Sequence, residues 1–405
     1  MREPVRVSGV GVVTPFGTSH AAFCDALLEG RSAIAPITGF DTSGCRSHIG
    51  AAIDGFDPSP WVTPMKMRRM DRTAVYAVAA TRLTLDDAGV TIPPEGDDRG
   101  GVMLGTWTAG GGSTQIFLDA LFRQGPTGAP ALLFDSTVAN SAASIVGLEH
   151  HLRGPNMTLS HKEASSLAAI VSAVDILREG GASALIAGGS DAIFETFYKA
   201  YDRFGVMSPA AAFSSSLAPF DVSRDGFVLG EGAMGLWLEP AGAPATSGAR
   251  GDILGVAASS AALPLNAWPN RAEPLERTMR LAIEDAGLSP ADIDVVYASS
   301  NATRELDACE ARALTSLFGG TRTVITAIKG ALGESGSSGG MACAAAFLCR
   351  NRVPPIAGLN EPDQATASLR LARHAEMLDV LRPVVLVNSF ASGGALFSAV
   401  LRVSG

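Results

Sequence analysis

The feature that most constrains this chain is a repeated alternation of short apolar runs with longer helix-like segments. Residues 5–13 (VRVSGVGVV), 101–105 (GVMLG) and 184–188 (ALIAG) leave almost no polar face. Strands of this kind must be covered on both sides, and intervening helices supply the covers. A strand is predicted over 5–13, ending at Thr14-Pro15, then a helix over 19–29 with Ser19 as N-cap. A second helix spans 73–88 and stops at Gly89. Further strands are predicted over 101–105, 156–160 and 184–188, and helices over 113–123 and 164–179. The second half repeats this alternation, with strands near 252–258, 294–298, 323–327, 384–389 and 395–402, and helices over 274–286, 306–317 and 338–349. This is an α/β layered pattern, and both halves open on a glycine-bearing strand.

The chain has 405 residues, 47% apolar and 18% charged, enough for a large buried core rather than a disordered chain. A Pro/Gly/Ala stretch at 240–251 (PAGAPATSGARG) marks a linker, dividing the chain into halves 1–245 and 246–405. The net charge of −9 argues against nucleic-acid binding. No apolar run approaches the roughly 18 residues that a membrane span needs. Five cysteines, odd in number and without metal-ligand spacing, point to a reducing, cytoplasmic setting and to no metal site. The opening MREPVRVSGVGVVTP lacks the apolar run of a signal peptide.

Six ordered segments carry a family resemblance: VSGVGVVTPFG (7–17), RGPNMTLSHKEAS (153–165), PFDVSRDGFVLGEGA (219–233), ASSNATRELDACE (298–310), KGALGESGSSGG (329–340) and NSFASGG (388–394). Together they resemble the β-ketoacyl synthase family along nearly the whole chain. The resemblance implies a thiolase-like fold, a five-layered α/β/α/β/α sandwich of two similar halves, usually dimeric. Active members condense acyl groups with one cysteine and two histidines. The cysteine, at a buried helix start, takes the acyl chain as a thioester. The histidines hydrogen-bond the developing oxyanion.

None of the three is present. The cysteine position falls on Glu163. The first histidine position, in a segment reading Ala298-Ser299-Ser300-Asn301-Ala302-Thr303, is Ser299, a frame supported by Asp307 and Glu310 downstream. The second histidine position is Glu334, with Lys329 and Gly333 retained. A carboxylate is a poor acyl acceptor, because its product is a hydrolysable anhydride. Two added carboxylates also repel a malonyl anion by several kcal/mol, to order of magnitude. Glu163 is therefore expected to fill a dead pocket, accept N–H groups at the helix start and pair with Lys329, with His161 and Lys162 as local pocket residues. Ala391 and Ser392 replace a bulkier Gly-Phe pair that gates the site in active relatives.

The resemblance implies a chain length factor: the non-catalytic partner of an active ketosynthase subunit in a heterodimer of a type II polyketide synthase. Such a partner shapes the tunnel that receives the growing chain. By analogy the wall includes Thr108, Gly112, Gln115, Ile116 and Leu133, with the flanking 136–144 at the interface; ordinary packing is the competing reading for each. These factors usually carry glutamine at the position of Glu163, and the departure leans the product slightly toward polyenes rather than aromatic chains. Lys66, Arg68 and Arg69 lie in the sharpest basic cluster, KMRRMDR (66–72), and match a segment that docks the acyl carrier protein. The competing reading is a solvated helix face. No cofactor of the chain's own is implied, since 4′-phosphopantetheine arrives on the carrier protein. Two other functions stay open: an altered-chemistry thioester hydrolase or acyltransferase using Glu163, and a structural homodimer.

Overall fold

The computed structural model describes residues 2–242 and 248–404. The predicted division at 245/246 lies outside the described residues. In chain order the principal elements of the first half are β1 (Val5–Val13), α1 (His20–Leu28), α2 (Arg72–Ala88), β2 (Gly100–Gly105), α3 (Gly111–Gln124), α4 (Ser141–Glu149), β3 (Asn156–Leu159), α5 (Ser165–Arg178), β4 (Ala184–Asp191), α6 (Glu195–Arg203) and β5 (Gly232–Pro240). Those of the second half are β6 (Gly251–Ser260), α7 (Glu273–Asp285), β7 (Val295–Tyr297), α8 (Arg304–Phe318), β8 (Val324–Thr326), α9 (Ser338–Cys349), β9 (Arg370–Leu371), β10 (Val384–Phe390) and β11 (Ala395–Val403).

Eleven strands form one mixed sheet in the order β9-β8-β7-β10-β11-β6-β1-β5-β4-β2-β3. The run β1-β5-β4-β2-β3 matches β6-β11-β10-β7-β8 step for step. In each run the first two pairings are antiparallel and the last two parallel. The two runs meet where β1 pairs antiparallel with β6, Val5 opposite Ile253. The weak self-similarity of the sequence is thus a duplicated topology.

Two helices occupy the centre. All 12 residues of α9 are buried, as its near-absence of polar faces requires. It packs on α5, and both touch strands of the two halves, with α2 and α7 covering the outer faces. The layers therefore run α/β/α/β/α. The tight approach of α5 to β2 depends on Gly105, where a Cβ would lie 2.1 Å from the Ser165 carbonyl oxygen. Helix ends follow the sequence signals: Ser19 accepts from the Ala22 amide, and Gly89 caps α2 in the left-handed region at φ 65°.

Four elements escape the sequence pattern, one of them the two-residue edge strand β9. Strand β5, which pairs with both β1 and β4, lies at the end of the PFDVSRDGFVLGEGA motif and has a continuous buried run rather than an alternating one. Helices α4 and α6 are the others. Within 136–144, assigned above to an interface, Ala142 and Ala143 are fully buried in this chain's own core, whereas Val138 is exposed. Among the described residues no helix is long and apolar enough to cross a membrane.

Candidate functional site

Three segments converge on the centre of the sandwich. A single 3-10 turn, Lys162–Ala164, leads into α5 and buries Glu163 to 1% exposure. The chain leaving β7 brings Ser299 and Asn301, at 0% and 4% exposure. The short helix Lys329–Leu332 ends at Gly333, whose φ of 70° turns Glu334 back beneath Lys329. All the replaced positions are therefore sealed among protein groups.

Lys329 and Glu334 form a buried ion pair, Nζ to Oε2 at 2.8 Å. Lys329 Nζ also donates to the Ser299 carbonyl at 2.7 Å, and the Asn301 amide donates to the same Glu334 oxygen at 2.8 Å. Burial raises the Glu334 carboxyl above the usual range, and Lys329 and Asn301 pull it back. Ser299 is bonded on all sides: its amide donates to Glu310 Oε1 at 2.9 Å, and its Oγ accepts from the Phe390 amide at 2.8 Å. Asp307 receives the amides of Phe220 and Asn301 at 2.8 and 3.0 Å, and burial pushes it up to about 7. The two acids predicted to set the frame of this segment thus hold its backbone.

Glu163 does not pair with Lys329, which corrects the expected arrangement: the lysine is taken by Glu334, five residues away. Its own backbone amide, in the turn leading into α5, favours the ionised carboxyl, and its partners across the pocket come from the closing turn. Glu163 Oε1 accepts from Ser392 Oγ at 2.9 Å, and Oε2 accepts from the Ser392 amide at 3.2 Å. Lys162 Nζ bonds Ser392 Oγ and, at 2.5 Å, Asn266 Oδ1. The lysine sits at φ 53°, a conformation costing roughly 1–2 kcal/mol for an L-residue. Its anchors hold it there, with its carbonyl accepting from Ser165 Oγ at 2.7 Å. Burial lowers the Lys162 amine and raises Glu163 to about 7; Lys162 opposes that rise and Glu334 adds to it. The turn at Ala391-Ser392 is therefore the lid on Glu163. Sequence reasoning marked Ser392 as a loss; its role as carboxylate partner follows only from the fold.

Away from this centre, two adjoining clefts of about 840 and 350 Å³ open between α3 and α6. Thr108 lines the larger, Gly112, Ile116 and Leu133 the smaller, and Gln115 both. Thr108 is nevertheless tied down, its Oγ1 donating to Asp191 at 2.9 Å. Gln115 Oε1 accepts from the Thr196 amide and hydroxyl at 3.2 and 2.9 Å, spanning the cleft mouth.

The basic cluster is not one helix face. Only Pro64–Met67 is helical, and Arg72 opens α2, where it pairs with buried Glu231 at 2.6 Å. Lys66 is exposed but paired with Glu149 at 2.5 Å. Arg68 and Arg69 are exposed and make no ion pair among the described residues. No cluster of His, Cys, Asp and Glu among the described residues has the geometry of a metal site.

A duplicated five-layer sandwich, with a buried helix start, a lysine turn and a closing turn converging at its centre, defines the thiolase-like class. Residues 2–242 match the β-ketoacyl synthase N-terminal domain and residues 250–359 its C-terminal domain; the chain belongs to the β-ketoacyl synthase family. It is 29% identical to a 3-oxoacyl-[acyl-carrier-protein] synthase 2 of Synechocystis sp., over 97% of this chain and 96% of that one. A Streptomyces virginiae protein with the provisional name polyketide β-ketoacyl synthase 1 is 32% identical over 89% of this chain and 88% of its own. Among solved structures, the ishigamide ketosynthase/chain length factor superposes with a TM-score of 0.89 at 27% identity, each chain covered in full.

Proposed function

We propose that this chain is a chain length factor: a subunit without condensing chemistry of its own that pairs with an active ketosynthase and shapes the tunnel for the growing acyl chain. The observation that carries this reading is the state of the three reacting positions. Glu163, Ser299 and Glu334 are buried and their side chains are engaged by Ser392, Phe390, Lys329 and Asn301. These three positions hold neither a thiol nor an imidazole. Decarboxylative condensation of carrier-bound acyl groups then belongs to the partner, and the 4′-phosphopantetheine arm enters on the acyl carrier protein.

The surface supports a partner. Strand β3 is an edge strand, paired only with β2 in the sheet order. Met157 on this strand and Leu148 on α4, which packs against it, are 46% and 73% exposed, and Phe122 and Phe134 add apolar surface elsewhere on the chain at 80% and 60% exposure. An open edge beside apolar surface is a place where soluble proteins are covered by another chain. Arg68 and Arg69 supply positive charge for an acidic carrier protein. Co-expression with a cysteine-bearing ketosynthase encoded beside it tests the reading. A one-to-one complex that condenses acyl groups is expected. A stable homodimer that ignores every such partner contradicts it.

A further inference from the structure

The two clefts between α3 and α6 are separated by a thin wall. Gln115, Phe194 and Glu195 line both of them. Of these only Phe194 projects an apolar ring between the two spaces. Gly111 and Gly112 make room for it: a Cβ on Gly112 would lie 2.5 Å from the Phe194 ring, and one on Gly111 would lie 3.0 Å away. The ring is also braced from the smaller cleft, where the Arg72 guanidinium lies 5.7 Å from its centroid. Arg72 is itself fixed by Glu231 Oε2 and by the Ile193 carbonyl, both at 2.6 Å. Phe194 precedes α6 directly, so its backbone is set by the helix start, and Gln115 clamps that start through Thr196. The ring thus sits between Gly111 and Gly112 on one side and the Arg72 guanidinium on the other, in the wall that both clefts share.

We propose that Phe194 is the septum that ends the larger chamber, and so a residue that sets how far a linear, carrier-bound acyl chain extends into this subunit. The proposal rests on the tunnel reading above. With the ring in place, a chain entering the larger cleft meets an aromatic face backed by a guanidinium; with the ring removed, the two clefts become one space. Gly112 matters here because it admits the ring, rather than because it leaves the tunnel wide.

The test uses the complex with the cognate ketosynthase and reads product lengths by mass spectrometry. Phe194→Ala is expected to move the longest product upward by at least one extension unit, and Phe194→Trp to move it downward. Phe194→Leu, which keeps an apolar side chain of moderate size, guards against loss of folding in the alanine variant and is expected to lengthen products less than Phe194→Ala. Gly112→Ala, which displaces the ring, is expected to alter length in the parent and to have no effect in the Phe194→Ala background. Unchanged lengths in all Phe194 variants, alongside shortening by Thr108→Phe, overturn the septum and leave the tunnel standing. Unchanged lengths in every one of these variants overturn both.

Discussion

Replacing Glu163 by glutamine should stabilise the protein, and by an amount that depends on pH. Glu163 is 1% exposed, and burial, with Glu334 adding to it, raises its carboxyl from the ordinary 4.5 to about 7 against the pull of Lys162. One decade of affinity corresponds to about 1.4 kcal/mol, so holding Glu163 ionised costs the folded state about 3 kcal/mol relative to a neutral group. In the unfolded chain this carboxyl ionises near 4.5; in the folded chain it keeps its proton until about 7. Between those values the folded state binds more protons, so its stability falls as pH rises and levels off above the upper value. Glutamine keeps the shape and both contacts: its carbonyl accepts the Ser392 amide, and its NH2 donates to Ser392 Oγ. Lys162, Glu334 and Tyr201 are the other ionisable groups coupled to this carboxyl, and E163Q leaves all of them in place. Urea unfolding of parent and E163Q, measured from about pH 5 to pH 8.5, should show a gap that widens to about 3 kcal/mol and then stays constant. Parallel profiles, or a variant less stable at the alkaline end, would refute the account of Glu163 as a sealed, partly protonated acid.

Three further outcomes follow from the same geometry. Lys329→Met leaves Glu334 buried without its cation and should destabilise the protein by about 3–5 kcal/mol in a denaturant titration; a second change, Glu334→Gln, should restore much of the loss. Arg68→Ala with Arg69→Ala should slow association with an acidic carrier protein most strongly at low salt, whereas Lys66→Ala should matter less because Glu149 already engages that amine; stopped-flow rates against ionic strength check this. Glu163→Cys alone should give no condensing activity in a carrier-protein assay of the lone chain, because Ser299 and Glu334 cannot act as the two imidazoles.

Most of the architecture was legible because it follows from local rules. Apolar runs gave β1, β2 and β4, and capping residues such as Ser19 and Gly89 fixed helix ends to within a residue or two. Strand β5 was missed because its length lies within and beyond a glycine-rich motif that draws attention as a signature rather than as a strand. The identities at the site were also readable, since Glu163, Ser299 and Glu334 stand at fixed distances from retained neighbours such as Lys329 and Gly333. Their pairing was not. Sequence offers two carboxylates as partners for Lys329, and the choice between them is made by the turn at Gly333, which folds Glu334 back onto Lys329 and leaves Glu163 to Ser392. Phe194 was invisible for a related reason. It lies far from Gly112 along the chain, and only the fold brings the residue before α6 against the start of α3 and puts its ring into the gap that the glycine leaves.

The question of where carbon–carbon bonds are made is decided most directly by incubating this protein, stripped of every companion, with a carrier-bound acyl primer and malonyl carrier protein, and following chain growth by mass spectrometry. No elongation and no acyl adduct on the lone chain are expected, with growth appearing once a thiol-bearing partner is added. Elongation by the isolated chain would contradict the assignment of all condensing chemistry to a second subunit.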